Sequence, residues 1–402
     1  MTQNWNPSIH TLWQSGNRSR AMSEISAKLS KTPGKKPLGL AMQFVHYLTL
    51  LHEWHVSLAV LEDLGKQWPD QAMVKRNIAL SAFKTGDSAR AVTAIHECLA
   101  ITPHDHVALD ILTMIQYSQK RYEDAAASGT ASLQQKAMVG AAINRGWTLP
   151  KEAPSRWLEG TSKRDVIAFS LWGKEPRYLR GAFDNIEAAR ALYPTWQVRF
   201  YADSSVPAPV LADLKLLGAQ VVTKPSGQTL QNKLTWRFEV ADDADVARFL
   251  VRDVDSVLTP RERAAVDAWI ASDRWFHVMR DWWVHAELVL AGMWGGVAGV
   301  LPSVRKLRDK YTPGLYAAAH VDQDFLRDRI WPYLSTSCLV HDRCFAMDGV
   351  EAWPTPAPPG DDHVGINVFA ADQHAQAERV ATFLRAEIGN KPVSLPLLGL
   401  EA

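Results

Sequence analysis

The stretch Arg248-Phe249-Leu250-Val251-Arg252-Asp253-Val254-Asp255-Ser256 reads as an apolar strand that runs out on two carboxylates at i and i+2. A strand ending this way can aim both side chains at one hard cation, which is what binding a diphosphate through manganese or magnesium requires. Asp-x-Asp alone is a weak signal, and its context strengthens it. Val257-Leu258-Thr259-Pro260 and a predicted helix follow. Upstream, strands are predicted at 165–170, 197–202 and 219–223, with helices at 178–193, 209–217 and 231–239 between or after them. Strands alternating with helices predict a parallel, doubly wound α/β sheet, whose ligands gather outside the carboxyl ends of the strands.

Two further segments fall in order behind the Asp-x-Asp. Leu290-Ala291-Gly292-Met293-Trp294-Gly295-Gly296 is apolar and glycine-bearing, and Val321-Asp322-Gln323-Asp324-Phe325-Leu326 carries an Asp-Gln-Asp-x-Leu pattern. In order and spacing the three resemble the GT-A class of nucleotide-sugar glycosyltransferases, family 8 and related retaining enzymes in particular, over most of residues 165–370. The resemblance implies a Rossmann-like GT-A domain with a mostly parallel sheet, a manganese or magnesium ion, and a nucleotide-sugar donor such as a uridine diphosphate sugar. It implies Asp253 and Asp255 as metal ligands with a later histidine as the third: His341, at the end of a predicted strand 337–340, is favoured over His363 in its proline-rich loop. It further implies Gln323 beside the anomeric centre and Asp324 hydrogen-bonded to the donor sugar, with retention inherited from the family. The Lys-Pro-Trp ending that the family carries after its histidine is absent, so no phosphate-binding lysine is assigned from it.

Chemistry supplies the other candidates. Cleaving a sugar–phosphate bond builds negative charge on the leaving diphosphate, which a cation and nearby basic side chains stabilise. Lys233 and Arg237, i and i+4 on one predicted helical face, and Arg252 are candidates, with a plain salt bridge as the alternative for Arg252. Ser170, Trp172 and Gly173 follow the first strand, where GT-A folds contact the nucleotide, and Gly292 lies in the middle segment. Asp203, after the second strand, either accepts from a ribose or base or caps the segment after Ser204-Ser205. The run from Trp275 to His285 contains Asp281, Trp282, Trp283 and His285. Aromatic faces and a carboxylate suit a sugar, with Asp281 as a candidate in catalysis and Trp282, Trp283 and His285 as candidate acceptor contacts; a tryptophan-rich packing strand is the alternative.

The N-terminal third has a different texture. Pro69 and Pro103, Gly86 and Lys120, and Ala91 and Ala125 are each 34 residues apart. That period belongs to the tetratricopeptide repeat, in which paired helices bury an apolar face only by stacking on the next pair. Units are expected at 38–69, 72–103 and 106–135, with a degenerate half-repeat at 13–33. Val45, Leu61, Leu64, Ile78, Ala79, Ala82, Ala91, Ile95, Cys98 and Ala125 are expected to face inward. His52, His55, His104 and His106 fall at repeat turns and are read as loop polarity rather than metal ligands. The organisation expected is helical repeats at 1–140, a connector at 141–163, the GT-A domain at 164–390 and a tail at 391–402.

Composition limits the alternatives. With 44 basic against 43 acidic residues the net charge is +1, so no overall field attracts nucleic acid or an anionic membrane. Three cysteines, Cys98, Cys338 and Cys344, have neither zinc spacing nor a disulfide framework and fit reduced thiols. No signal peptide is evident at the N-terminus, and the most apolar run, 288–301, is too short and glycine-rich to span a bilayer. A cytoplasmic enzyme, peripheral at the inner membrane face at most, is therefore expected. Its expected partners are a nucleotide sugar, a glycan or protein acceptor such as a bacterial surface polysaccharide, and a protein on the repeats. The competing readings are a repeat-based interaction protein with an inactive GT-A scaffold and a metal-dependent nucleotidyltransferase or phosphohydrolase.

Overall fold

The computed structural model describes residues 5–140, 146–154, 163–314 and 321–367. It begins with eight helices: α1 (Pro7–Gln14), α2 (Arg18–Lys31), α3 (Leu38–Leu50), α4 (Trp54–Gln67), α5 (Ala72–Lys84), α6 (Ser88–Ile101), α7 (His106–Ser118) and α8 (Tyr122–Gly140). They stack as pairs, and every residue expected to face inward is buried, from Val45 through Ala125. The 34-residue period has a backbone cause. His52, Gly86 and Lys120 each close the first helix of a pair with positive φ, 58°, 87° and 60°. The following amide then bonds back into the helix, as Glu53 N to Leu48 O, Asp87 N to Ala82 O and Arg121 N to Gln116 O. Asp87 and Asp105 cap α6 and α7, and Asp105 also pairs with Arg76 at 2.7 Å, which explains its place in the His104-Asp105-His106 cluster.

The rest is an α/β unit built on β1 (Arg164–Leu171), β2 (Gln197–Ala202), β3 (Gln220–Thr223), β4 (Val246–Arg252), β5 (Phe276–Arg280), β6 (Met293–Val297), β7 (Cys338–Asp342) and β8 (Val350–Glu351). Spatial order is β3-β2-β1-β4-β6-β5-β7-β8. The sheet is mostly parallel, as the sequence leads one to expect, and departs from that at one strand: β6 runs antiparallel to both β4 and β5, and the remaining pairs are parallel. The glycines of β6 make that insertion possible. A Cβ on Gly295 would lie 2.5 Å from the Phe249 carbonyl oxygen, and one on Gly296 would lie 2.7 Å from the Phe276 ring.

Alternation along the buried strands gives each face its own core. Ile167, Phe169 and Leu250 pack with Ala182 and Ile186 of α9 (Pro176–Leu192) and with Val266 and Trp269, which lie beyond the Asp-x-Asp. Val166, Ala168, Phe249 and Val251 pack on the opposite face with Trp236, Trp294 and Phe325. Leu133 of α8 belongs to this second core, so the repeat region is docked onto the sheet. Tyr117 lies flat against Trp283 and edge-on to Trp282, with centroids 6.2 and 5.4 Å away. Among the described residues no helix is long and apolar enough to cross a membrane. The outer bounds expected for the sheet domain and its tail, 390 and 391–402, lie outside the described residues.

Candidate functional site

Strands β1 and β4 are adjacent and parallel, so Ser170 near the end of one and Asp253 just past the other reach the same edge. After β2 the chain passes through α10 (Ala208–Leu216) and β3 to α11 (Leu230–Thr235) and a 3-10 turn, Trp236–Asp242. Residues of α11 and this turn join the strand ends around a cleft of about 450 Å³, whose polar lining includes Ser170, Arg237, Asp253, Asp255, Asp322 and Gln323. Trp172, Tyr178 and Leu230 supply apolar wall. The two aspartates after the deciding strand therefore do face one cavity.

Arg237 organises the floor. Its guanidinium donates to the Arg252 carbonyl at 2.7 Å and to Asp253 at 2.5 Å, and lies 3.5 Å from Asp322; its own amide donates to Ser170 Oγ at 3.1 Å. Lys233 does not share its face, because α11 tightens into the 3-10 turn between them. Lys233 instead meets Asp203 at 3.2 Å. Burial works against ionisation of Asp203, but Ser205 and the Lys233 ammonium outweigh it and hold its carboxyl below the ordinary value. Asp203 and Lys233 sit at the end of β2 beside this cleft without lining it. Gly173 is also spoken for, its amide donating to Ser205 Oγ at 2.8 Å.

Among the described residues, three carboxylates line the cleft against one guanidinium. Partial burial and the neighbouring Asp253 charge raise the Asp255 carboxyl above its ordinary value, and burial raises Asp322 against the pull of Arg237. Gly292 lets Asp253 stand where it does. A Cβ at Gly292 would come 2.0 Å from Asp253 Oδ2 and 2.9 Å from its amide nitrogen. The middle glycine thus acts through the aspartate and borders a second cleft.

Several sequence assignments are corrected. His341 is buried three strands away from β4 and shares a hydrogen bond of 2.9 Å with His277, so it does not join Asp253 and Asp255. Burial pushes its imidazole down to about 4. His363 stacks on Trp282 with centroids 4.5 Å apart and bonds the Asp361 carbonyl; it lines neither cleft. Among the described residues no group of three or more His, Cys, Asp or Glu is set to hold a metal. Asp281 is wholly buried, and accepts from Arg261 at 2.9 and 3.0 Å and from the Val364 amide at 2.9 Å. It fastens the loop before Val364 to α12 (Pro260–Ala271) and is unavailable to substrate. Asp324 turns to Arg327 at 2.8 Å. In α13 (Val304–Asp309) and α14 (Val321–Phe325) the chain is helical, and two positions along a helix differ by about 200°. Asp322, the first aspartate of the motif and not the second, therefore enters the cleft. Arg252 is buried and paired with Glu262 at 2.6 Å, the salt bridge alternative with a different partner.

Trp282 is mostly packing, between Tyr117, His363 and Arg343. Trp283 and His285 line the second cleft, also about 450 Å³, between the repeats and the sheet domain. That cleft shares Asp253, Ala291 and Gln323 with the first. Its residues Asp110 and Glu287 carried no signal in the sequence, since only docking of α7 against the loop after β5 brings them together.

No protein-family model and no curated protein matches the chain. Solved structures do. MamA of Desulfovibrio magneticus RS-1 aligns at 15% identity over 32% of this chain and 72% of that one, with a TM-score of 0.30. A tetratricopeptide repeat protein of Thermus thermophilus aligns at 20% identity over 32% and 70%, with a TM-score of 0.28. An O-GlcNAc transferase of Thermobaculum terrenum aligns at 13% identity over 61% of this chain, with a TM-score of 0.39, and the chain spans 44% of its length. All three likenesses concern backbone arrangement alone.

Proposed function

We propose that the chain is a metal-dependent glycosyltransferase that moves a sugar from a nucleotide diphosphate sugar, a uridine diphosphate sugar first among them, to a glycan or protein acceptor. The carrying observation is that Asp253, Asp255, Asp322, Arg237 and Gln323 converge in one cleft that adjoins a second through Asp253 and Gln323. One cleft suits a donor, the other an acceptor, and the shared residues stand where the two would meet.

The donor set fits a manganese or magnesium ion. Magnesium commonly takes one or two carboxylates and completes its shell with water and substrate phosphate, so a three-residue protein cage is not required. Asp253 and Asp255 would hold the ion, which when bound supplies Lewis-acid stabilisation of the leaving diphosphate. Arg237, fixed by the Arg252 carbonyl, Asp253 and Asp322, holds one positive charge at the same place. Trp172 and Tyr178 offer flat apolar surface for a base, and Ser170 a hydroxyl. Gln323, at the junction of the clefts, is the residue we place beside the anomeric carbon. The GT-A assignment, retention and a role in bacterial surface polysaccharide synthesis belong to this proposal and rest on the sequence resemblance.

Calorimetry with manganese and uridine diphosphate tests it. The wild type binds only with metal present, and Asp255→Ala loses at least tenfold in affinity; binding indifferent to metal and to this substitution sinks the reading. The ion pair of Arg237 with Asp253 favours a second reading, a repeat-based interaction protein over an inactive sheet domain, because it occupies one carboxylate oxygen. Release of uridine diphosphate from a donor sugar by the wild type excludes that second reading.

A further inference from the structure

We propose that the cleft between the repeats and the sheet domain is the acceptor site, and that its occupant is a polypeptide segment presenting a hydroxyl side chain. This rests on the transferase reading given above. One wall comes from the first helices of two repeats, as Leu80 of α5 and Val107, Ile111 and Met114 of α7. The facing wall is the stretch after β5, with Trp283, Val284 and Leu290. Val107 and Val284 are 38% and 53% exposed, two of the few large apolar side chains that remain so. Both therefore present unsatisfied apolar surface into the same gap.

The walls are held apart by a fixed clasp. Lys136 of α8 is 1% exposed and donates to Asp110 of α7 at 2.8 Å, to Glu287 at 2.8 Å and to the Ala286 carbonyl. Buried ammonium contacts on both walls set the width of the cleft. Two polar atoms in this lining are buried without a partner among the described residues, Glu287 Oε2 and His285 Nδ1. Neither atom has surface open to the cleft, so the polar groups that an occupant meets are those at its junction with the donor cleft, Asp253 and Gln323.

The lining also selects the class of occupant. A buried sugar ring brings several hydroxyls, each needing a partner. The repeat-side wall offers mostly aliphatic side chains, and its one carboxylate, Asp110, is already engaged by Lys136 and Ser132. A wall of aliphatic side chains with polar groups at one end fits a peptide that buries apolar side chains and lends one hydroxyl. Continuity with the donor cleft at Asp253 and Gln323 directs that hydroxyl towards the donor.

The test uses the full chain on two surfaces: an array of nonapeptides with a central serine or threonine, and an array of oligosaccharides. Wild type and a Val107→Gln, Val284→Gln double variant are compared, both positions being exposed enough to leave the fold intact. Expected are discrete peptides bound by the wild type and bound at least tenfold more weakly by the variant, with manganese-dependent uridine diphosphate binding equal in the two proteins. Equal peptide binding by both proteins, no peptide bound at all, or oligosaccharides bound in a variant-sensitive way in place of peptides overturns the proposal. Variant-sensitive peptide binding without any nucleotide binding keeps the peptide cleft while removing the transferase reading, so the two failures are distinct.

Discussion

Replacing Gly292 by alanine tests how the carboxylates of the donor cleft are held. The new methyl would lie 2.0 Å from Asp253 Oδ2, 2.5 Å from its Cγ and 2.9 Å from its amide nitrogen. The carboxylate can swing away, but the amide is fixed because it comes directly after β4. Overpacking of this kind costs about 1–3 kcal/mol. Displacing Asp253 also breaks its 2.5 Å contact with Arg237 and removes one of the two proposed metal ligands. Losing the group that orients a metal ligand costs about 10- to 100-fold in metal affinity, so affinity for uridine diphosphate with manganese should fall by roughly that factor. Gly314→Ala is the control, since a Cβ there meets nothing within 4 Å. Urea denaturation reads the first effect and calorimetry the second. Wild-type affinity in Gly292→Ala, with stability reduced or not, refutes the claim that this glycine positions the aspartate.

Three other outcomes are expected. Asp281→Asn should destabilise by about 3–5 kcal/mol in urea, because it breaks a buried pair with Arg261, while nucleotide affinity per folded molecule stays unchanged; lost activity at wild-type stability would restore a catalytic role. Lys120→Gly should raise stability by up to about 1 kcal/mol, since a lysine at φ 60° carries a strain that glycine lacks, and no gain in the thermal midpoint would count against that origin of the repeat period. Burial holds the His341 imidazole at about 4, below its unfolded value of 6.5. Between those values the unfolded chain binds the extra proton, so stability is lost as pH falls from about 6.5 towards 4, by up to about 1.4 kcal/mol per pH unit. Urea midpoints at pH 7, 6 and 5 should fall more steeply in wild type than in His341→Gln, and parallel slopes would refute the assignment.

What the sequence determined by itself was whatever local periodicity encodes. The 34-residue spacing marked the helix pairs, because each pair repeats the same turn and the same inward alanines. The apolar run before Asp253 marked β4, and the deciding carboxylates fell at its end because a strand followed by a turn leaves them nowhere else to go. Partners distant in the chain were decided only by tertiary packing. The antiparallel insertion of β6 depends on the close approach of Gly295 to Phe249, and no periodicity announces it. The burial of Asp281 under Arg261, the pairing of His341 with His277, and the choice of Asp322 over Asp324 depend on which faces of three separate elements meet. The second cleft exists because the repeats dock on the sheet domain, through Leu133, Tyr117 and the bond from Lys136 to Glu287, 151 residues away, and contacts at that distance leave no local trace in a single sequence.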